Sequence, residues 1–297
     1  MNSSVLSALH HGSNAGPGLV AAHDASMGAL LVDAGKLSID DAERVLRTHE
    51  DLGIRYGEAA MRLGLVSEDD IQQALARQFA YPYLQKGQAR LSPRLVAAYE
   101  PFSPQVEALR AIRSQLVLRW FARGRRALAI AGATPDDGAS QFAANLALVF
   151  SQLGEQTLLV DADLRAPRQH ALFGLRPRQG LSDLLAGRAD LDAILRVPYF
   201  ADLSVLAAGT LPPNPQELLA RPAFRTLSAQ LESRHDVVLY DLPPFTAGAD
   251  ALAVAGRAGG VLLVARKHRT RIADVAHMAE QMRDAGAEVV GSVVMEF

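Results

Sequence analysis

Residues 128–163 read LAIAGATPDDGASQFAANLALVFSQLGEQTLLVDAD, and their order decides the fold. An apolar run over 127–131 enters a loop containing Gly132, Thr134, Pro135, Asp136, Asp137 and Gly138. Residues 140–153 carry helical periodicity, with Gly154 placed to end the helix in the left-handed region. A second apolar run, 157–160, ends at Asp161-Ala162-Asp163. Strand, glycine loop, helix and a strand ending in acids is how a parallel sheet holds phosphate. The loop's N–H groups and the helix dipole both face the anion. One residue departs from the pattern. G-x-x-x-x-G-K-[ST] requires a lysine after the last glycine, and here Gly138 is followed by Ala139 and then Ser140.

The alternation continues downstream. Apolar runs at 203–206, 237–240, 260–265 and 288–294 predict further strands, and 182–186, 215–219, 223–234, 250–257 and 271–285 predict helices. Near-continuous apolar strands alternating with helices imply an α/β fold, a mostly parallel sheet with helices on both faces. Ligands of such sheets sit beyond the strand C-termini, where the loops at Gly132, Asp161 and Asp241 fall. Four groups should meet there. The loop 132–138 offers backbone N–H groups, and Ser140 offers a hydroxyl to Mg²⁺. Asp161 and Asp163, two apart, can address one metal–water cluster, and Asp241 ends the buried run VVLYD as a Walker B acid.

Composition narrows the alternatives. The 297 residues suffice for two domains, and the formal charge of −2 gives no broad attraction to nucleic acid, so no nucleic-acid partner is expected. There is no cysteine, which removes disulfide frameworks and thiolate metal sites. The eight histidines show no paired metal spacing, and no Ser/His/Asp grouping suggests hydrolysis. No apolar run approaches the ~18 residues that cross a bilayer, and the N-terminus lacks a basic region followed by an apolar one. A cytoplasmic protein, peripheral to the inner membrane through a partner, is the expectation.

Residues 1–25, rich in Ser, Gly, Ala and His, are expected to be a disordered lead-in. Residues 26–84 form a two-repeat helical module. MGALLVDAGKLSIDDAERVLRTH, starting at Met27, aligns with YGEAAMRLGLVSEDDIQQALARQ, starting at Tyr56, at a constant offset of 29 residues. Gly28 matches Gly57 and Gly35 matches Gly64, while Ser38 and Ser67 stand as N-caps before acidic first turns. The proline- and aromatic-bearing stretch 85–104 is expected to be an ordered linker, and 105–297 the α/β domain. A helix over 106–120 opens that domain, placing Leu109, Ile112, Leu116 and Leu118 toward the core and Glu107, Arg110 and Arg113 on a polar side.

The module resembles the N-terminal domain of type II secretion and pilus ATPases, some of which bind cyclic di-GMP. That resemblance implies Arg55, Gly57 and Gln78 as a cyclic di-GMP set, since arginine can stack on guanine and bind phosphate. The first repeat departs from it, with Ser26 where arginine belongs, Ala42 for leucine and His49 for glutamine. A plain protein-docking module is the competing expectation, favoured over the ligand.

From about residue 104 the chain resembles the bacterial tyrosine kinases that control exopolysaccharide chain length, relatives of the MinD/ParA P-loop ATPases. The resemblance rests on VDADLRAP from Val160, GLSDLLAG from Gly180, GTLPPNPQELL from Gly209, VVLYDLPP and DALAVAGRAGGVLLVARKHRT from Asp250. It implies ATP contacts at Gly132, Asp137, Gly138, Ala139, Ser140, Gln141 and Arg165, and Mg²⁺ at Ser140, Asp161 and Asp241. In an active member Asp161 and Asp163 would be catalytic. EALRAIRSQL, from Glu107, is similar to the family's E-x-x-R-x-x-R oligomerisation helix, so Glu107, Arg110 and Arg113 are expected in contacts of a homo-oligomer. Three family features are missing besides the lysine. Met295 stands where an adenine-reading asparagine is expected, Leu242 replaces the threonine after the Walker B acid, and no C-terminal tyrosine cluster follows Tyr240. The resemblance therefore implies an exopolysaccharide biosynthesis or export regulator of weak or no catalytic activity, binding ATP and Mg²⁺ weakly. Its partner would be an integral-membrane polysaccharide co-polymerase or export protein. The alternatives are an active ATP-dependent tyrosine kinase or ATPase and a cyclic di-GMP-responsive adaptor.

Overall fold

The computed structural model describes residues 27–78, 83–84 and 89–296; the lead-in expected over 1–25 lies outside them. The chain divides into two compact units, with the boundary between Tyr81 and Pro82.

The first unit contains α1 (Met27–Asp33), α2 (Ile39–Leu52), α3 (Tyr56–Arg62) and α4 (Glu68–Gln78). Leu31, Leu37, Val45, Ala59, Ala60, Val66, Ile71 and Ala74 form its core. Ser38 caps α2 by accepting from Asp41 N at 3.1 Å. Ser67 and Asp70 form a reciprocal capping box: Asp70 N donates to Ser67 Oγ at 3.2 Å, and Ser67 N donates to Asp70 Oδ2 at 3.0 Å. Lys36, in the turn after α1, reaches Asp70 at 2.8 Å and so ties one repeat to the other. Lys36 and the Ser67 donors hold the Asp70 carboxyl at about 2. Because that pKa lies below the ordinary 3.8, the stabilisation is present above about pH 4 and is lost as pH falls toward 2. The lysine side chain is 45% exposed, so solvent screening reduces the net value to about 1 kcal/mol. Asp70→Asn is accordingly expected to speed hydrogen exchange of the α1–α4 amides by several-fold at pH 7, with the gap closing toward pH 3. A gap of equal size at both pH values would show that the ionised pair is not its source.

In the second unit α5 (Val96–Tyr99) and α6 (Pro104–Arg119) precede β1 (Ala127–Gly132) and α7 (Ala139–Ser151). β2 (Thr157–Asp161), α8 (Gln169–Leu172), α9 (Leu181–Leu185), β3 (Leu195–Arg196) and β4 (Leu203–Leu206) follow. The chain closes with α10 (Pro215–Leu219), α11 (Pro222–Arg234), β5 (Val237–Asp241), α12 (Asp250–Ala258), β6 (Gly260–Arg266), α13 (Ile272–Asp284) and β7 (Glu288–Met295). The sheet order is β3-β4-β2-β5-β1-β6-β7, parallel except for β3 against β4. This is the predicted mostly parallel α/β sheet, and the six predicted strands lie at their expected positions. The two-residue β3 is not among them, being too short to carry a period.

Side-chain alternation along β1 divides the core in two. Ala127, Ala129 and Ala131 face a layer that includes α9 to α13, while Leu128 and Ile130 face α5, α6 and α7. α7 is buried almost all round because the sheet covers one side and the segment 89–103 and α6 cover the other. Asn145 of α7 accepts from Ala97 N at 3.0 Å and donates to Arg94 O at 3.1 Å, and Gln152 donates to Ala97 O at 2.9 Å. Leu91, Leu95, Ala97 and Ala98 of the 85–104 segment are core residues of the second unit, and so is Leu84, which the expected module of residues 26–84 includes. On α6 the core residues are Val106, Leu109 and Leu116, with Trp120 just beyond the helix. Leu118, expected inward, is 69% exposed, because two residues past Leu116 is about 200° around the helix. Trp120 donates from Nε1 to Ala127 O at 2.8 Å, and its ring lies where a Cβ on Gly260 would come within 2.3 Å. Only glycine fits there.

Candidate nucleotide site

The site grows from three adjacent strand ends. β1 runs into the loop, β2 ends at Asp161 and β5 ends at Asp241. Asp161 and Asp241 are direct register partners on neighbouring parallel strands, and both are fully buried. Asp161 Oδ2 accepts from the N–H groups of Arg168 at 3.1 Å and Gln169 at 2.9 Å. Asp241 Oδ2 accepts from Gln169 Nε2 at 2.7 Å, and the same amide donates to Ser140 O at 2.9 Å. Gln169 therefore fastens the loop–helix junction to the acids. Sequence reasoning misses it, since it lies outside any periodic run and reaches the acids only because the chain turns back after Asp161.

One oxygen on each acid, Asp161 Oδ1 and Asp241 Oδ1, accepts no hydrogen bond among the described residues. Burial pushes the Asp161 carboxyl well up, and the Asp241 charge pushes it further. Burial likewise raises Asp241 to about 7, against the Gln169 and Ser140 side chains that pull it down. Two neighbouring carboxylates, each with an oxygen lacking a donor, suit a hard divalent cation. Among the described residues no group of three His, Cys, Asp or Glu side chains could enclose a metal. Mg²⁺ commonly takes one or two carboxylates and leaves its other positions to water and phosphate, so Asp161, Asp241 and the Ser140 hydroxyl would hold it. Asp163 is spent differently: its Oδ1 accepts from Arg165 N at 3.0 Å and Ala166 N at 2.9 Å, closing the turn after β2.

A cleft in front of these acids is lined by Gly132, Ala139, Ser140, Asp163, Arg165, Arg168 and Leu242, among others. Two residues expected to contact the nucleotide are engaged elsewhere. Asp137 turns its carboxylate inward and is 1% exposed. It accepts from Thr134 N at 2.8 Å, Thr134 Oγ1 at 3.0 Å and Thr270 Oγ1 at 2.6 Å, so it shapes the loop from within. Arg165 borders the cleft, but its guanidinium forks onto buried Asp250, with Nε at 2.6 Å and Nη2 at 3.2 Å. Gly138 adopts φ 81°, a left-handed conformation that lets the loop enter α7. Ala139 presents a methyl group where the pattern has an ammonium, and that methyl packs against the core under the loop. Gln141 donates to Arg94 O at 3.3 Å, and Met295 packs against the same core.

The other expected residues fall on α6 of the second unit and in the first unit. On α6, Arg110 pairs with Glu107 and Arg113 donates to Val149 O at 2.6 Å, so this polar face is partly engaged within its own chain. In the first unit Arg55 is exposed just before α3 and Gln78 is half-buried. Gly57 is buried against Ile71, where a Cβ would meet Ile71 Cγ2 at 3.1 Å, so close helix packing accounts for it. Nothing in this arrangement favours cyclic di-GMP over a docking module.

Known proteins resemble about two thirds of the chain. The chain is 37% identical over 199 residues to the putative tyrosine-protein kinase EpsB of Ralstonia solanacearum, covering 67% of this chain and 26% of that one. It thus spans about a quarter of that relative's length. It is 32% identical over 206 residues to the tyrosine-protein kinase YwqD of Bacillus subtilis, covering 69% of this chain and 87% of that one. The kinase domain of the Escherichia coli tyrosine kinase ETK superposes with a TM-score of 0.67 at 34% identity, covering 72% of this chain and 83% of that one. The septum site-determining protein MinD of Pyrococcus horikoshii, solved with Mg-ADP, shares the fold at 23% identity, with a TM-score of 0.51 over 57% of this chain and 70% of that one. No family model matches the chain.

Proposed function

We propose a role for a chain that belongs to the bacterial tyrosine-protein kinase family: a nucleotide-binding regulator of exopolysaccharide biosynthesis or export with little or no phosphoryl-transfer activity. One observation carries this reading. At the head of α7 the catalytic cation is replaced by the methyl of Ala139, while the acids beyond it, Asp161, Asp163 and Asp241, are all retained. With Asp163 in the cleft wall and Asp161 and Asp241 buried behind it, losing the lysine removes a cation that would balance phosphate against these acids. A single lost electrostatic stabiliser typically costs ~10²–10³ in rate. The apolar Met295 and Leu242, where the family resemblance implies asparagine and threonine, point the same way. As a regulator the chain would act on an integral-membrane polysaccharide co-polymerase or export protein, as a homo-oligomer joined through the α6 face that carries Glu107, Arg110 and Arg113.

The alternative is an active ATP-dependent tyrosine kinase or ATPase, and the convergence of Ser140, Asp161 and Asp241 favours it. The two are separated by incubating the purified chain with Mg-ATP and a tyrosine-bearing membrane partner. The expected result is no phosphotyrosine and no ADP release above background. Robust labelling that disappears in Asp161→Asn would establish the kinase instead.

A further inference from the structure

We propose that the positive charge missing at Ala139 is supplied by Arg94, Arg168 and Arg266, and that the cleft they line binds the polyphosphate chain of a nucleotide. This rests on the nucleotide-binding reading above but not on the absence of catalysis.

The phosphate loop borders two clefts. Both are lined by Pro135, Ala139, Ser140 and Arg168. The first holds the acidic side, with Asp163 in its wall and Asp161 and Asp241 behind it. The second is bounded by Gly138 and Gln141, at the start of α7, together with Arg94, Arg168 and Arg266, and Asp136 is the one acid among its lining residues. A loop-bound anion with its charge in the first cleft meets Asp163 together with Arg168 and an Arg165 already paired with Asp250, and two more acids lie buried behind. In the second it meets three guanidinium groups.

These arginines are placed by structure. Arg94 comes from the segment before α5, and its carbonyl accepts from Asn145 Nδ2 at 3.1 Å and Gln141 Nε2 at 3.3 Å, so α7 itself fixes Arg94 at the cleft. Arg266 ends β6 and donates from Nη1 to Asp136 O at 3.3 Å, which sets it against the loop. The backbone of Arg168 is held by Asp161 Oδ2 while its side chain stays exposed between the two clefts. Three guanidinium-bearing residues with one acid among the lining make the second cleft suited to an anion. Arginine suits phosphate because its planar fork donates two parallel hydrogen bonds and never loses its charge. The first turn of α7 carries no acidic residue to oppose such a ligand.

The test titrates inorganic tripolyphosphate, and separately ADP without Mg²⁺, into the full chain by calorimetry. Both are expected to bind. The Arg94→Gln/Arg168→Gln double variant removes two exposed side chains without touching a described hydrogen bond of either guanidinium, and should weaken both ligands about 100-fold, at roughly tenfold per lost charged contact. Arg266→Gln should weaken them about tenfold, with unchanged thermal unfolding confirming that the loop is intact. Raising NaCl should weaken wild-type binding steeply and affect the double variant little. No tripolyphosphate binding to the wild-type chain, or equal affinity in wild type and double variant, overturns the proposal. Phosphoryl transfer by the chain would sink the non-catalytic reading and leave this one standing.

Discussion

Asp241→Asn is expected to stabilise the second unit by about 2–4 kcal/mol at pH 8 in the absence of divalent cations, although it removes a family acid. Asp241 and Asp161 oppose each other across paired strands, shut away from solvent, and each leaves one oxygen without a donor. The Asp241 carboxyl sits at about 7 in the folded chain against an ordinary 3.8. The native state therefore holds this proton more tightly than the unfolded chain does. Its contribution is fully present below about pH 4 and declines as pH rises through 7. Asparagine keeps an acceptor for Gln169 and offers Asp161 a donor, and it carries no charge at any pH. The wild-type unfolding free energy, from urea titrations in EDTA, should thus fall between pH 5 and pH 8, while that of the variant stays nearly flat. Added Mg²⁺ should recover the wild type at pH 8 and do little for the variant, because a ligand that binds only the native state stabilises it by mass action. A variant less stable than wild type at pH 8, or a parallel pH slope in both, would show that the facing acids are not in conflict.

The acids are readable from sequence, and Gln169, Arg94 and Arg266 are not. A parallel strand buried on both faces is a run of apolar residues, so its C-terminal end is marked where the run breaks at Asp161 or Asp241. The fold class follows from six such runs in alternation with helices. Gln169 lies eight residues past Asp161 in a four-residue helix, too short to carry a period. Arg94 is brought to the phosphate loop by an amide of Asn145, 51 residues away, and Arg266 by a carbonyl 130 residues away. No local pattern encodes such meetings; they follow from tertiary packing, for Arg94 that of the 89–103 segment on α7. Asp137 shows the converse limit. Its place in a phosphate loop suggests a ligand contact, but its carboxylate is consumed by Thr134 and by Thr270, which a loop motif cannot foresee.

Ala139→Lys is expected to raise affinity for Mg-ATP by roughly 10–100-fold, the largest gain any single substitution in this site should give. The residue opens α7 and lines both clefts, and because its methyl packs on the core, a lysine there must turn its stem out of that contact to extend over the loop. Its ammonium would stand between the phosphate and the carboxylates, and one charge-assisted hydrogen bond contributes about 1.5–3 kcal/mol. Binding and turnover should separate in this variant. Leu242 still lines the cleft and Met295 still packs an apolar side chain at the end of β7, so nucleotide orientation is not restored along with charge. Calorimetry should accordingly register the tighter Mg-ATP, while phosphotyrosine formation rises by far less than the ~10²–10³ that an electrostatic stabiliser is worth in a complete site. If the substitution restored full phosphoryl transfer, the alanine alone would account for the loss, and the apolar residues at 242 and 295 would be tolerated features of a kinase one substitution from activity. If affinity did not move, Arg94, Arg168 and Arg266 would already balance the phosphate in full. Adding Arg94→Gln and Arg168→Gln to Ala139→Lys would then decide between them, since phosphate charge balanced by the introduced ammonium no longer depends on those arginines.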